Sequence, residues 1–223
     1  MIKMEVLYPE YMNLYGDRGN IMYLQKIIPD LEITYTGINE TPLFTKEKID
    51  ILYLGPSTEK QQEAIAEKLK PFKEQLKKLI DDNVFILATG NAIEYFGQYI
   101  EKEKGNKIEC LKIFDTYAKR IYRLRHNENV VQKVKNINLV GFKNQLSHSY
   151  GKEKFAIKSE KDETINFVIK NNFFGTYFLG PILVLNPELT TKIFKDLNIK
   201  IDQKEYLEMA EKANNKRIQE LDI

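Results

Sequence analysis

Tryptophan is absent from the 223 residues, cysteine occurs once and histidine twice. A single thiol, Cys110, excludes an internal disulfide and any cysteine-based zinc cluster. His126 and His148 stand too far apart to spell a metal site, so neither a metal nor a cofactor is expected. No stretch approaches the roughly 18 uninterrupted apolar residues of a membrane span. The opening Met1-Ile2-Lys3-Met4-Glu5-Val6 carries charge where a signal peptide would be apolar. The expectation is a cytoplasmic chain that inserts into no membrane. Neither charge is in excess: 34 Lys+Arg against 32 Asp+Glu leave +2, which gives no footprint for nucleic acid. What is present suits one large α/β domain or one domain with an appendage, with 43% hydrophobic and 30% charged residues. There is no internal repeat and no low-complexity linker.

The chain is organised around Val84-Phe85-Ile86-Leu87-Ala88-Thr89-Gly90-Asn91-Ala92-Ile93-Glu94-Tyr95-Phe96-Gly97. An apolar run of strand length suits a central parallel strand covered on both faces. A tight turn at Gly90 then leads into a helix from Asn91 to about residue 100. Such a strand–turn–helix elbow presents one residue at the carboxyl edge of the sheet, beside the free N–H groups of a helix start. Before it, strands are predicted at 2–8, 31–38 and 49–54, with helices at 19–27, 59–70 and 72–81, the last two separated by Pro71. After Gly105 come shorter strands at 107–114, 119–124, 129–134 and 137–142, a polar loop at 146–151, a strand at 165–169 and an apolar run from Phe173. Helices at 187–197 and 203–221 close the chain, the first with Pro187 suited to its first position. Strands alternating with helices predict an α/β fold, a doubly wound, mostly parallel sheet with an antiparallel extension. Residues 1–200 form the domain, and 201–223 a C-terminal helix that covers it or meets a partner.

Three segments, in order, carry a resemblance. Leu7-Tyr8-Pro9 with Asn13-Leu14-Tyr15-Gly16-Asp17-Arg18-Gly19-Asn20 is the first. Gly141-Phe142-Lys143-Asn144 is similar to a Gly-Phe-Glu-Asn segment. Gly175-Thr176-Tyr177-Phe178-Leu179-Gly180-Pro181 with Asn186-Pro187 is similar to Gly-Thr-Tyr-Leu-His-Gly-Pro…Asn-Pro. Together they resemble class I glutamine amidotransferases of the cobyric-acid-synthase-like branch, which includes the glutaminase subunits of lipid II isoglutaminyl synthase. The resemblance spans residues 1–197 and implies a flavodoxin-like sheet. It also implies an elbow cysteine that attacks a glutamine amide, a histidine that relays protons, and backbone N–H groups that hold the oxyanion. In such a system ammonia passes to a Mur-ligase-like partner.

This chain departs from that pattern where the chemistry sits. Gly90 falls on the cysteine and Leu179 on the histidine. Gly55-Pro56-Ser57 stands where the family has a Gly-Gly-Gly oxyanion loop, and proline removes one N–H. By resemblance the pocket draws on Tyr15, Gly16, Asp17, Gly19, Asn20, Gly55, Thr89, Gly90, Asn91, Glu94, Arg120 and His148. Each has a plainer reading. The 13–20 loop is also an ordinary cap with a tight turn. Thr89 reads as a buried hydroxyl bonded to backbone, and Cys110 as a small buried hydrophobe on a strand. His126 lies in a charged turn and is expected to face solvent; His148 is the better site candidate. Glu94 reads as a first-turn carboxylate favoured by the helix dipole. Arg120 is similar to an arginine that binds the substrate carboxylate, or is a surface residue. The elbow pocket, stripped of a cysteine and a histidine, is expected to be enlarged. Three functions follow: a non-catalytic subunit or regulator beside a Mur-ligase-like or other synthetase, a free-standing module binding glutamine or another small metabolite, and an enzyme using another nucleophile such as Thr89 or Cys110.

Overall fold

A computed structural model describes residues 1–202 and 204–221. β1 (Ile2–Leu7), α1 (Gly19–Ile27), β2 (Leu31–Thr36) and β3 (Ile51–Leu54) open the chain. α2 (Gln62–Leu69) and α3 (Lys73–Asp81) follow, joined by one 3-10 turn at Pro71 where the missing N–H breaks the α ladder. β4 (Phe85–Thr89) is buried at every position and runs straight into a 3-10 helix, Gly90–Phe96. β1 to β4 are mutually parallel, in the order β2-β1-β3-β4. β13 (Phe173–Thr176) then pairs parallel with β4, which gives the 2-1-3-4-5 order of a doubly wound sheet.

Beyond β13 the sheet reverses. β12 (Ile165–Lys170), β10 (Ser147–Gly151) and β7 (Thr116–Arg120) pair antiparallel in turn, followed by β5 (Tyr99–Glu101) and β6 (Lys107–Glu109) at the far edge. β11 (Ala156–Lys158) adds to β12. The predicted α/β class with an antiparallel extension is the observed one.

Apolar side chains alternate across β1 and fill two cores, as a sheet covered on both faces requires. Leu7, Leu52, Ile65, Leu69, Leu76 and Ile80 lie on the α2–α3 side. Met4, Val6, Leu24, Tyr53, Leu183 and Phe194 lie on the side of α1, α4 (Ile182–Leu185) and α5 (Pro187–Asp196). The last helix, α6 (Lys204–Glu220), packs on α1, α4 and α5, burying Ala210, and Asn214 donates to the Leu185 carbonyl at 2.6 Å. The predicted start of that helix at Gln203 lies outside the described residues. Among the described residues no helix is long and apolar enough to cross a membrane.

Several expectations need correction. The elbow helix stops at Phe96 instead of running to residue 100. Gly97 there lies against the Thr116 backbone, with no room for a Cβ, and β5 begins. The predicted strand 107–114 ends at Glu109, because Leu111, Ile113 and Phe114 turn their N–H groups to the carbonyls of Tyr95 and Phe96. Cys110 is therefore just past a strand, not on one. The predicted strand 119–124 sits earlier, as β7, and ends in a 3-10 turn, Tyr122–Leu124. The predicted polar loop at 146–151 is mostly strand β10: its polar side chains face a buried hydrogen-bond network, so polarity misread as exposure hid it. β8 (His126–Val134) and β9 (Ile137–Gln145) form a separate hairpin and not part of the main sheet. It is tied to the body by a bridge between Phe142 and Leu179.

Candidate functional site

The elbow is built as its sequence demands. Thr89 is extended, at φ −105 and ψ 152, and Gly90 reverses the chain at φ +57, a left-handed conformation that glycine adopts without strain. Directly above Gly90 lie Pro56 and Leu179. A methyl group built on Gly90 would sit 2.8 Å from Pro56 Cβ and 3.1 Å from Leu179 Cδ2. The cleft lined by Tyr15, Pro56, Ser57, Gly90, Asn91, Ser147 and Leu179 keeps about 10 Å³ of free volume, room for about one water. Where the sequence reading expected a roomy pocket, Pro56 and Leu179 carry hydrocarbon over Gly90 and the cleft is small.

The loop after β3 is fixed by its neighbour across the elbow. Asn91 Oδ1 accepts from the Ser57 N–H at 2.9 Å and its Nδ2 donates to the Ser57 carbonyl at 2.8 Å. Ser57 Oγ shares a hydrogen bond with the Tyr95 hydroxyl at 2.8 Å. Pro56 has no N–H and that of Ser57 is taken, so neither residue offers a donor to a developing oxyanion. Gly55 is pressed against the Met12 carbonyl, and Gly19 against the Pro181 ring, leaving no space for a side chain at either.

Behind the elbow stands a buried carboxylate. Asp17 is fully buried in the loop between β1 and α1. Its Oδ2 accepts from the hydroxyls of Tyr53 and Thr89, and its Oδ1 from Asn20 Nδ2 at 3.1 Å. Asn20 Oδ1 accepts in turn from the Leu183 N–H at 2.9 Å. Burial raises the Asp17 carboxyl to about 6 against the opposing pull of Thr89, Tyr53 and Asn20. The Thr89 hydroxyl therefore belongs chiefly to a carboxylate, with only a long 3.4 Å contact to the Leu54 carbonyl, and not to backbone as expected. Of the same loop, Tyr15 and Gly16 are exposed at φ +58 and +71, and Tyr15 borders the cleft over Gly90.

A second buried network lies on the other side of the 3-10 helix. Glu94 is its fifth residue, not in its first turn, and is buried. Its carboxylate accepts from Gln62 Nε2 at 2.8 Å, from the Tyr177 hydroxyl at 2.8 Å and from Ser147 Oγ. Burial pushes its pKa up, countered by those donors and by Arg120. Arg120 is not on the surface. It is 7% exposed, and one guanidinium nitrogen donates to Gln62 Oε1 at 2.7 Å and to the Glu59 carbonyl at 2.9 Å. Gln62, unnoticed in the sequence within a run of charged helix residues, is thus the bridge between Arg120 and Glu94.

The remaining candidates lie elsewhere. Cys110 is buried near Lys70 and Lys73, donates to the Ile108 carbonyl, and burial pushes its thiol up to about 12, the state of an inert thiol. His148 is buried on β10, with Nε2 at 2.9 Å from the Leu124 carbonyl and Nδ1 at 3.3 Å from Gln145 Nε2. It does not line the cleft over Gly90. His126 does not face solvent freely; its ring packs edge-on against His148 with centroids 4.6 Å apart, on the hairpin. Among the described residues no group of three His, Cys, Asp or Glu side chains could hold a metal.

With the geometry established, likeness to other proteins becomes informative. Residues 3–186 match the family model for the CobB/CobQ-like glutamine amidotransferase domain. Among curated proteins, the chain is similar to the GatD subunit of lipid II isoglutaminyl synthase (glutamine-hydrolyzing) from Staphylococcus aureus. The two are 27% identical over 187 residues, 80% of this chain and 77% of that protein. The Streptococcus pneumoniae GatD subunit is 26% identical over 204 residues, 84% of this chain and 76% of its own. Among solved structures, a glutamine amidotransferase aligns with TM-score 0.60 at 9% identity, covering 87% of this chain and 99% of that one. A glutamine amidotransferase from Thermotoga maritima aligns with TM-score 0.58 at 15% identity, covering 96% and 92%. At those identities the two structures speak for the fold alone.

Proposed function

The chain belongs to the CobB/CobQ-like glutamine amidotransferase domain family, and from that premise we propose that it has lost glutamine hydrolysis and serves as a non-catalytic subunit or regulator beside a Mur-ligase-like or other synthetase. The observation that carries the reading is the filled elbow: glycine at the turn, proline and leucine packed over it, and about 10 Å³ left between them. A glutamine side chain does not fit in that space. No thiol, and no free hydroxyl, stands at the turn: Thr89 is bound to Asp17 and Ser57 to Tyr95. Removing a nucleophile or its base from such a unit costs on the order of 10⁴–10⁶ in rate, and removing both costs little more. Likeness to GatD, a protein named as a subunit, supports the role beside a partner. So does the intact Asp17–Asn20 scaffold, which keeps the 13–20 loop in place although the reaction residues are gone.

The test is twofold. Tagged chain is purified from its own cell, and ammonia and glutamate release from glutamine are followed for the chain alone and for whatever co-purifies with it. The expected result is a co-purifying ligase-like protein and no turnover above the blank attributable to this chain. Robust glutamine turnover by the chain would overturn the loss of activity. Recovery without any ligase-like protein would overturn the subunit role. Thermal shift against glutamine separates the alternative of a metabolite-binding module, since a ligand at a hundredfold its dissociation constant stabilises by about 2.7 kcal/mol.

A further inference from the structure

The segment Gly141-Phe142-Lys143-Asn144 contributes little to the elbow, yet it holds the least conventional charge in the molecule. Lys143 lies on β9 and is 2% exposed; lysine is almost never so buried unless paired. Its Nζ donates to Asn166 Oδ1 at 2.9 Å, and among the described residues it makes no ion pair. The acceptor is neutral and its orientation is fixed. Asn166 Nδ2 donates to Gln132 Oε1 at 2.6 Å, and Gln132 Nε2 donates to the Lys158 carbonyl, so Asn166 presents its oxygen to the amine. An ammonium has three protons to place, whereas a neutral amine satisfies this single acceptor and keeps a lone pair. Burial holds the Lys143 pKa below the ordinary lysine range, Asp162 and Glu128 oppose that shift, and Lys161 reinforces it.

Lys143 does not lie in solid protein on every side. Lys143 lines a cavity of about 50 Å³ beside β8, together with His126, Glu128 and Asp162. Glu128 is directly across from Lys143 in the hairpin register. Its carboxylate is steadied by Lys161 Nζ at 3.1 Å and faces His126 Nδ1 at 3.8 Å. Asp162 Oδ1 accepts from the Thr164 N–H at 2.9 Å. This cavity shares no lining residue with the cleft over Gly90.

We propose that Lys143 is the nucleophilic amine of a second site, which condenses with a small uncharged aldehyde or ketone to form an imine. The Nζ lone pair adds to the carbonyl carbon, and the C=O π pair moves to oxygen, which takes up a proton as nitrogen gives one up. The carbinolamine then loses its hydroxyl as water and the C=N bond forms, so amine plus carbonyl gives imine plus water with no other reactant. Asp162, Glu128 and His126 at the rim are the groups placed to carry those protons. The substrate is small because the cavity is well under the roughly 150 Å³ that holds a benzene ring. It carries no negative charge because Glu128, Glu160 and Asp162 outnumber Lys161 in the lining.

The test traps the imine in the native wild-type chain with acetaldehyde and cyanoborohydride at pH 7, which leaves an ethyl group on each reacted amine, and reads the sites by peptide mapping. An ordinary lysine of pKa about 10.4 is neutral in only about one molecule in 2,500 at that pH. Lys143 is expected to label at least tenfold faster than the exposed Lys161 in the same protein. Lys143→Arg is expected to abolish the fast label and leave Lys154 unchanged. Benzaldehyde, too large for the cavity, is expected to spare Lys143. Labelling of Lys143 no faster than Lys161, or only in urea, overturns the proposal. That comparison is made within wild type, so it decides the matter even if the Lys143 variant does not fold.

Discussion

Replacing Gly90 by alanine adds one carbon to the most crowded point of the elbow. Two costs follow from the geometry. A residue with a Cβ at φ +57 pays about 1–2 kcal/mol for the left-handed conformation. The added methyl meets Pro56 Cβ at 2.8 Å and Leu179 Cδ2 at 3.1 Å. The leucine can rotate away, but Pro56 is a rigid ring on a loop clamped by Asn91, so one of the two contacts must be relieved by moving backbone. Overpacking of that kind costs typically about 1–3 kcal/mol. The sum is about 2–5 kcal/mol, a large part of the roughly 5–15 kcal/mol that holds a domain folded. For a chain of this length about 3 kcal/mol lowers Tm by about 6–12 °C. Urea unfolding followed by circular dichroism, with an unchanged m-value, reads the loss directly. In a Pro56→Gly background the same substitution should cost at least about 1 kcal/mol less, because only the backbone strain and the yielding leucine remain. A loss under about 0.5 kcal/mol in the wild-type background, the size of a surface substitution, would refute both the strain and the seal.

Other perturbations probe the neighbouring networks. The Asp17 carboxyl, raised to about 6 by burial, titrates at about 3.9 in the unfolded chain. The unfolded state therefore gives up its proton first, and stability declines as pH rises from about 4 to about 6, by about 2–3 kcal/mol, then levels off. Urea titrations at pH 4, 5, 6 and 7 should show a decline larger in wild type than in Asp17→Asn by that amount, the buried Glu94 contributing to both; parallel profiles would contradict it. Gln62→Leu leaves a buried Glu94 oxygen and an Arg120 nitrogen short of a partner, and should destabilise by about 2–6 kcal/mol at about 1–3 kcal/mol for each group; a change under about 1 kcal/mol would show that the bridge is dispensable. Cys110, with its thiol pushed up to about 12, should resist a maleimide at pH 7 in the native chain and react only on unfolding. Rapid native labelling would mean that the thiol is exposed.

The parallel half of the fold was legible because its signals are local. The apolar run of β4, Pro29 and Pro71 at helix limits, and the Gly19–Asn20 start of α1 each record a physical constraint at the residue concerned. The antiparallel half was harder, since β10 carries Ser147, His148 and Ser149, polar residues that point inward to Gln145, Glu94 and Tyr177. Buried polar networks leave no periodic mark in a sequence. At the site, a glycine at the turn could be read from the strand–turn–helix pattern, but what packs over it could not. A bare turn suggested a roomy pocket, but the room that remains depends on what packs from other elements, here Pro56 from the loop after β3. Arg120 and Glu94 were singled out separately. Their connection runs through Gln62, about thirty residues from one and nearly sixty from the other, which only the folded arrangement reveals.

The seal over the elbow also decides which single substitutions the turn can absorb. Three residues from three distant segments, Pro56, Gly90 and Leu179, occupy one volume jointly. A cysteine placed at residue 90 alone would collide with the ring above it, and a histidine placed at 179 alone would bury an imidazole among hydrocarbon. Neither substitution is neutral by itself, so a side chain at the turn needs a compensating change above it. Interlocked packing of this kind makes the identity of each member depend on the other two, so the three positions can change freely only together.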